Sequence, residues 1–243
     1  MSLAGDVRVP NGELRIVSDV AAAFCDLVAE EARLALAEAA AKSATFRLVL
    51  SGGSTARDCY EHLAARDDID WALVECLVGD ERCLPADDPD ANQHMIRQAL
   101  VDRVQPRPRF VPMNCDAAPE AYEAVISASP ALDLVHLGLG PDGHTASLFP
   151  GSEGLFAPPD RLVVNNVDPT GRNAHLRLSL TFAGIARARL VVFTVAGADK
   201  HEAMSGIVHG DDLPAARVRA HRVVWLCDTD AIGSRSLGLR VTG

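Results

Sequence analysis

The chain has 243 residues and a formal net charge of −10 at pH 7, with 48% hydrophobic and 23% charged residues. This length allows one large α/β domain or two small ones, and the composition is typical of a globular protein with a hydrophobic core. An acidic chain without a basic stripe repels nucleic acid and anionic membranes, so we expect neither as a partner. An anionic small molecule needs a local cluster of arginine and lysine to oppose the net charge.

The six cysteines are scattered and contain no C-x-x-C pair, which argues against a zinc ribbon or a thioredoxin-like motif. They are Cys25, Cys59, Cys76, Cys83, Cys115 and Cys227. Residues 1–16 are polar and strand-like, and charges interrupt the longest apolar-rich stretch, residues 20–41. We therefore expect a cytoplasmic protein with reduced thiols.

The N-terminal half predicts strands that alternate with helices. Residues 7–17 suggest a hairpin around a Pro-Asn-Gly turn, and Ser18 is the expected cap of a helix that ends near Lys42. The apolar strand FRLVLSGG follows, and Ser54 and Thr55 begin the next helix. After these come strand ALVECLVGD, helix DANQHMIRQAL, strand RFVPM, helix APEAYEAVI and strand LDLVHLGLG.

The C-terminal half continues the alternation with strand RLVVNNV, segment LRLSLTFAGIARA, strand RLVVFTVAG, helix DKHEAMSGIV, strand RVVWLCD and a short terminal helix. The pattern predicts an α/β fold, a doubly wound, mostly parallel sheet with helices on both faces. No Pro-rich or Gly/Ser-rich linker divides the chain, so we expect one domain over residues 1–243. In such sheets ligands bind beyond the carboxyl ends of the strands.

The first strand end with candidate chemistry is SGGST, which comprises Ser51, Gly52, Gly53, Ser54 and Thr55. Free backbone N–H groups at a helix N-terminus, two glycines and hydroxyls favour an anion site, most naturally for phosphate. The segment is not a Walker loop, because the Gly-Lys-[ST] ending is absent. An ordinary tight turn with helix capping is the alternative.

Charged residues follow three further strands. Asp80 and Arg82, in the sequence DER, could bind sugar hydroxyls and a developing oxyanion, although a solvated charge run is equally consistent with this segment. Arg177, in LRLSLT, and Lys200, in GADK, are candidate phosphate ligands against an acidic background. A surface lysine is the simpler interpretation of Lys200.

The loop GLGPDG fits the dinucleotide fingerprint G-x-G-x-x-G through Gly138, Gly140 and Gly143. A nucleotide site also needs a crossover helix, and prolines and glycines between residues 150 and 159 leave room for about one helical turn. Pro141 removes a backbone N–H that a pyrophosphate needs, and Asp168 lies too far along the chain to be the ribose-binding acid.

The same loop carries His144, with Asp142 two residues before it. A neutral imidazole can take a proton from water at physiological pH, and a neighbouring carboxylate can fix its tautomer. A histidine that only hydrogen-bonds the loop is the alternative.

Taken in chain order, SGGST, GDERCLPADDPDAN, LGLGPDGHTASLFPG, RLSLT and GADK resemble the 6-phosphogluconolactonase family from about residue 46 to residue 232. The resemblance implies a modified Rossmann-like fold and hydrolysis of 6-phospho-D-glucono-1,5-lactone in the pentose phosphate pathway, with no metal or cofactor. It implies that His144 is the general base and Asp142 its orienter. Asp80 and Arg82 then contact the substrate, and Arg82 is a candidate for holding the oxyanion.

By the same resemblance the SGGST loop, Arg177 and Lys200 hold the phosphate, and Gly143 lets the backbone pass close to the lactone. The chain departs from the family in TGRNAH, where Arg172 could take the place of a family lysine, and in Ala91, which replaces a serine. We expect a monomer or small homo-oligomer that binds a sugar-phosphate lactone.

Three other functions remain open from the residues. Glucosamine-6-phosphate deaminases share the D-G-H loop, but they carry D-E-Y where this chain has DER, and they lack HTASLFPG. A sugar-phosphate-binding regulator without catalysis and an NAD-binding module are the remaining alternatives.

Overall fold

A computed structural model describes residues 8–38, 45–128 and 131–233. The strands are β1 (Glu13–Ile16), β2 (Phe46–Leu50), β3 (Val74–Val78), β4 (Asp80–Arg82), β5 (Arg109–Val111), β6 (Leu132–Gly138), β7 (Val163–Asn166), β8 (Arg177–Leu180), β9 (Ala188–Val195) and β10 (Arg222–Cys227). The helices are α1 (Val20–Glu38), α2 (Ser54–Ala64), α3 (Asn92–Ile96), α4 (Pro119–Ser127), α5 (Phe182–Ile185), α6 (His201–His209) and α7 (Thr229–Ile232).

Seven strands form a parallel sheet in the order β1-β10-β9-β6-β2-β3-β5. Every residue of β2 and β3 is buried, as expected for central parallel strands that helices cover on both faces. The chain proceeds from β2 to β3 on one side, whereas β6 pairs with β2 on the other and is followed by β9. The sheet therefore has a switch point between β2 and β6, where open α/β sheets bind ligands.

Helices cover both faces of this sheet, because successive side chains of a strand point to opposite faces. His136 of β6 packs against Phe24 of α1, with ring centroids 4.2 Å apart. On the opposite face, Arg47 of β2 donates hydrogen bonds to the carbonyl groups of Val125 and Ile126 in α4. The predicted fold class, an α/β Rossmann-like fold with a mostly parallel, doubly wound sheet, is confirmed.

A second sheet of three antiparallel strands, in the order β4-β8-β7, was not predicted. Its strand β4 begins only one residue after β3 ends, so Gly79 joins the two sheets. The amide of Leu180 in β8 donates to the Gly79 carbonyl at 2.9 Å. RLVVNNV contains strand β7 as predicted, whereas β8 lies in LRLSLTFAGIARA, for which no strand was predicted, and both belong to the small sheet rather than to the parallel sheet.

The N-terminal predictions need two corrections. The expected hairpin is reduced to one bridge between Val9 and Gly12, because β1 instead pairs in parallel with β10. Asp19, not Ser18, caps α1, since its Oδ1 accepts from the amide of Ala22 at 2.9 Å. The predicted end of this helix near Lys42 lies outside the described residues.

The buried apolar side chains form one continuous cluster that includes residues of both sheets. Phe193 and Trp225 stack within it, with ring centroids 3.8 Å apart and planes 6° from parallel. Among the described helices, none combines the length and apolar character needed to cross a membrane.

The expectation of reduced thiols is wrong for two of the six cysteines. A disulfide joins Cys83, directly after β4, to Cys115, in the loop after β5, with their Cα atoms 5.4 Å apart. The fold brings these positions to bonding distance although 32 residues separate them in sequence. Cys25, Cys59, Cys76 and Cys227 are free and buried.

Candidate active site

A cavity of about 280 Å³ opens at the carboxyl ends of the central strands, at the switch point. The residues predicted for the site that line it are Ser51, Gly52, Gly53, Ser54, Thr55, Asp80, Arg82, His144, Arg177 and Lys200. The loops after β2, β3, β6 and β9 thus meet in one place, together with the first residue of β8.

His144 lines the cavity and is hydrogen-bonded to Asp142, which is not among the lining residues. Oδ1 of Asp142 lies 2.5 Å from Nδ1 of His144 and also accepts from the His144 amide at 3.1 Å. The side-chain hydrogen bond lowers the pKa of Asp142 below its ordinary value, although burial acts in the opposite direction. An ionised carboxylate only accepts, so Nδ1 carries the proton and Nε2 is left as the acceptor.

The ring of Phe149 connects the histidine to the basic side of the cavity. Its centroid lies 4.9 Å from that of His144, and the guanidinium carbon of Arg177 lies 5.9 Å from the same centroid. Phe149 is buried and lines the cavity. The packing fixes the imidazole plane against a rigid apolar surface.

Other groups in the cavity lining favour an anion. Helix α2 begins after Gly53 with no side-chain cap, so the amides of its first turn remain available. Arg177 is 5% exposed, forms no ion pair with any described carboxylate, and its buried Nε has no hydrogen-bond partner. Burial lowers the pKa of Arg177, because the charged guanidinium loses hydration there. An anion that enters the cavity supplies the missing counter-charge.

Lys200 lies on the same cavity, in a short 3₁₀ turn (Ala198–Lys200) after β9. Its ammonium group is 2.8 Å from the carboxylate of Asp199, which is largely exposed. An exposed ion pair holds a lysine only weakly, so Lys200 can turn to an anion in the cavity at little cost.

Asp80 is buried in a set of polar side chains that the sequence did not reveal. Its Oδ2 accepts from the hydroxyl of Ser147 at 2.6 Å, and Nδ2 of Asn92 donates to the Asp80 carbonyl at 2.7 Å. Asn92 Oδ1 is buried without a hydrogen-bond partner among the described residues and packs against Gly52. Asp80 therefore ties the histidine loop and the SGGST loop to the same strand.

The two neighbours of Asp80 differ in what they contact. Arg82 lines the cavity, and its Nη1 donates to the carbonyl of Asp90. Glu81 is 1% exposed and its carboxylate accepts from the amides of Arg82, Asn92 and Gln93. Burial raises the pKa of Glu81 despite these hydrogen bonds. Glu81 holds the loop and the start of α3, while Arg82 faces the cavity.

Gly143 does not have the position predicted for it. It is absent from the cavity lining, and its amide and carbonyl bond to Gly140 and Ala215. With φ of 82°, it makes the turn that a side chain would strain, and a Cβ there would meet Leu213. The glycine that packs directly against the His144 ring is Gly140, where an added Cβ would lie 2.1 Å from His144 Nδ1.

The nucleotide alternative fails on topology. The chain after His144 passes through one 3₁₀ turn (Glu153–Phe156) and then enters β7 of the small sheet, with no crossover helix back to the parallel sheet. Asp168 accepts only from its own turn, from Thr170 and Asn173, and these bonds outweigh burial and lower its pKa to about 2. Arg172 is exposed and outside the cavity lining, whereas Asn173 lines it.

Sequence reasoning missed several cavity residues, including Asn92, Ser147, Phe149, Asn173 and Thr194. Ser147 and Phe149 lie in HTASLFPG, within five residues of His144, so that proximity was an available signal. Thr194 is the seventh residue of strand β9, and nothing local to it indicates a place on the cavity wall.

The comparisons with known proteins agree with this geometry. Residues 18–225 match the family model described as glucosamine-6-phosphate isomerases/6-phosphogluconolactonase. A 6-phosphogluconolactonase of Synechocystis is 38% identical over 203 residues, which cover 76% of this chain and 82% of the relative. One of Streptomyces coelicolor is 35% identical over 236 residues, which cover 85% of this chain and 90% of the relative.

The solved structures give the same result at the level of the fold. The crystal structure of 6-phosphogluconolactonase from Thermotoga maritima superposes with a TM-score of 0.74 at 28% identity, covering 90% of this chain and 100% of that one. The two proteins therefore share the fold. The chain belongs to the glucosamine-6-phosphate isomerase/6-phosphogluconolactonase family.

Proposed function

We propose that this protein is a 6-phosphogluconolactonase, which hydrolyses 6-phospho-D-glucono-1,5-lactone to 6-phospho-D-gluconate in the oxidative branch of the pentose phosphate pathway. The observation that carries the proposal is one cavity lined by the histidine of a hydrogen-bonded His–Asp pair, by an unpaired buried arginine and by a helix N-terminus. A lactone that carries a phosphate matches both the base and the anion-binding groups. The curated relatives with this name support the assignment.

In the proposed mechanism, Nε2 of His144 takes a proton from water as the oxygen attacks the lactone carbonyl. Asp142 keeps the proton on Nδ1 and stabilises the imidazolium that forms. The tetrahedral intermediate then collapses and the bond from C1 to the ring oxygen breaks. The imidazolium returns its proton to that oxygen, so one water is consumed and the base is regenerated.

Two groups of residues are assigned supporting roles. Arg82 lies on the cavity wall and offers a cationic donor to the developing oxyanion. The amides of residues 54–56, Arg177 and Lys200 hold the phosphate, which places the carbonyl before His144. When the phosphate is held in place, the lactone carbonyl has a fixed position relative to His144 and the attacking water. Such positioning accounts for much of an enzyme's rate.

The proposed chemistry uses only these side chains, so we expect no requirement for a metal or cofactor. We also propose a cytoplasmic location and a monomer or small homo-oligomer that has no nucleic-acid or membrane partner, consistent with the net charge of −10.

The test is acid release from freshly generated δ-lactone at constant pH, with and without the protein, above the uncatalysed background. We expect a saturable rate that 6-phosphogluconate inhibits. Ammonia release from glucosamine 6-phosphate, measured in parallel, identifies the deaminase alternative. Ammonia release without lactone hydrolysis overturns the proposal.

A further inference from the structure

A buried chain of hydrogen bonds lies directly beneath the SGGST loop. Nδ1 of His136 is 2.8 Å from Oη of Tyr60, and its Nε2 is 2.8 Å from Oγ1 of Thr194. The Tyr60 oxygen also accepts from the amide of Ser51 at 2.8 Å and lies 3.1 Å from the Ser51 carbonyl. The Ser51 hydroxyl in turn donates to the His136 carbonyl at 2.7 Å.

One arrangement of protons satisfies every contact of the tyrosine oxygen. A hydroxyl has one proton and two lone pairs. If Nδ1 of His136 carries its proton, Oη accepts from Nδ1 and from the Ser51 amide and donates to the Ser51 carbonyl. Nε2 then accepts from the Thr194 hydroxyl. In the opposite tautomer Nδ1 has no proton, so the tyrosine hydroxyl must donate to Nδ1 and the Ser51 carbonyl loses its donor. The geometry therefore selects the tautomer with the proton on Nδ1.

The chain is isolated from solvent. Tyr60 and His136 are 0% exposed, and Thr194 and Ser51 are 2% and 3% exposed. Burial lowers the pKa of His136 to about 3, so the imidazole is neutral at any pH at which the enzyme is assayed. If one of these buried polar groups loses its hydrogen-bond partner, the protein is destabilised by the free energy of desolvating that group. Alternative arrangements of the four side chains are therefore unfavourable.

The loop above depends on this support. Gly53 has φ of 106°, no heavy atom lies within 4 Å of where its Cβ would be, and α2 has no side-chain cap. At Gly52, the nearest atoms to an added Cβ belong to the side chain of Asn92. Ser51 is the last residue before these two glycines, and Tyr60, nearly two turns into α2, binds both its amide and its carbonyl.

We propose that Tyr60 and His136 are positioning residues that fix Ser51 and thereby aim the amides at the start of α2 toward the substrate phosphate. They touch neither the substrate nor the reacting atoms. The inference rests on the proposed function for the identity of the phosphate, but the orientation of the amides can be measured without turnover.

The test is Tyr60→Phe, which deletes one oxygen and keeps the ring. Tyr122→Phe is the matched control, because Tyr122 is also buried and its hydroxyl bonds the amide and the carbonyl of Val78 at the end of β3. The readouts are the Kd for inorganic phosphate and for 6-phosphogluconate by calorimetry, KM and kcat for the lactone, and the melting temperature.

We expect Tyr60→Phe to weaken phosphate binding and raise KM at least about tenfold while kcat changes by less than about threefold. Tyr122→Phe should lower the melting temperature but keep the wild-type Kd for phosphate. Equal loss of stability in both variants with wild-type phosphate binding in Tyr60→Phe overturns the proposal. A wild type that binds phosphate but hydrolyses no lactone contradicts the proposed function and leaves the calorimetric test valid.

A second pair of variants decides the matter if Tyr60→Phe does not fold. His136→Asn keeps an N–H donor near the position of Nδ1, whereas His136→Leu keeps the approximate volume and removes the donor. We expect phosphate affinity near that of the wild type in the first and a loss of about tenfold in the second. The same phosphate affinity in both variants contradicts the role of His136.

Discussion

At the scale of single residues, the proton transfer is concentrated in His144, whose Nδ1 is held by Asp142. His144→Gln removes the base, and we expect kcat to fall by about 10²- to 10⁴-fold, the usual contribution of a positioned base. The Kd for inorganic phosphate should not change, because the anion groups lie elsewhere on the cavity. Acid release at constant pH and phosphate calorimetry measure the two effects.

The control is His62→Gln, since His62 is exposed on α2 and its ring bonds the Asp58 carbonyl one turn earlier. We expect wild-type kcat from this variant. Asp142→Asn should also lower kcat, because the side-chain N–H of asparagine can donate to Nδ1, which places the ring proton on Nε2 and removes the acceptor that the base needs. A wild-type rate in His144→Gln contradicts the assignment of the base.

His136 makes a distinct prediction about stability. Burial lowers the pKa of His136 to about 3 in the folded protein, from an ordinary value of 6.5. At a pH between these two values the imidazole is protonated in the unfolded chain and neutral in the native state. Stability therefore falls as the pH drops through 6.5, by about 2 kcal/mol between pH 7 and pH 5 for this one group. In His136→Asn this contribution is absent.

The measurement is the free energy of unfolding from urea titrations at pH 7 and pH 5 in both proteins. Other titrating groups are common to the two, so only the difference in pH dependence counts. Parallel pH dependence in the two proteins shows that the native state protonates His136 and contradicts its burial as a neutral ring.

Local motifs predicted which side chains reach the cavity but not what holds them. His144 and Asp142 are two residues apart and belong to one loop, so their pairing could be read from spacing. Ser147 and Asp80 are 67 residues apart, and Tyr60 and His136 are 76 apart. Such partners meet only because β2, β3 and β6 are neighbours in the sheet, which no local pattern encodes.

At the scale of elements, the loop after β6 needs its glycines for its own packing. A Cβ on Gly140 would lie 2.1 Å from Nδ1 of His144 and 2.8 Å from Oδ1 of Asp142. We expect Gly140→Ala to displace the pair and lower kcat by about 10²-fold or more, with phosphate affinity retained. Steady-state kinetics and phosphate calorimetry separate the two.

Gly138→Ala is the matched control for stability, because Gly138 ends β6 directly before this loop and no heavy atom lies within 4 Å of the added Cβ. We expect its melting temperature to match that of the wild type. Wild-type kcat in Gly140→Ala would mean that the loop can relax around a methyl group, contrary to the close approach of His144.

The small antiparallel sheet shows where strand prediction ends. Strand β7 was predicted correctly, whereas no strand was predicted for the segment that forms β8. Their pairing depends on β4, three residues long, whose sequence DER has no strand propensity of its own. Its conformation follows from Gly79, which links it to β3, and from the bonds that Glu81 accepts at the start of α3.

At the scale of the whole molecule, we propose that the chain is a single domain. The apolar cluster runs from the parallel sheet into the small sheet without interruption, and Gly79 joins the two with no linker. The net charge of −10 is compatible with an anionic substrate because Arg177 and Lys200 face one cavity. The local field, not the total charge, governs a partly buried site.

The disulfide between Cys83 and Cys115 links the end of β4 to the loop after β5. A bridge across 32 residues stabilises a protein by about 3 to 4 kcal/mol through loss of freedom in the unfolded chain. In the cytoplasm thiols are kept reduced, so there the fold must hold without this contribution. The hydrogen bond from the Cys83 amide to the Leu176 carbonyl, 2.9 Å long, keeps β4 beside β8 in either state.

We therefore expect dithiothreitol to lower the melting temperature of the wild type by about 10 °C while kcat is retained. Cys115→Ser should melt at the same temperature with and without the reductant. The four other thiols do not interfere, because burial raises the pKa of each, that of Cys25, Cys59 and Cys76 to about 12 and that of Cys227 as well, and keeps them unreactive. The prediction is contradicted if the reductant does not change the melting temperature of the wild type and two thiols are alkylated before unfolding. That result shows that Cys83 and Cys115 are reduced and that packing alone holds β4 in place.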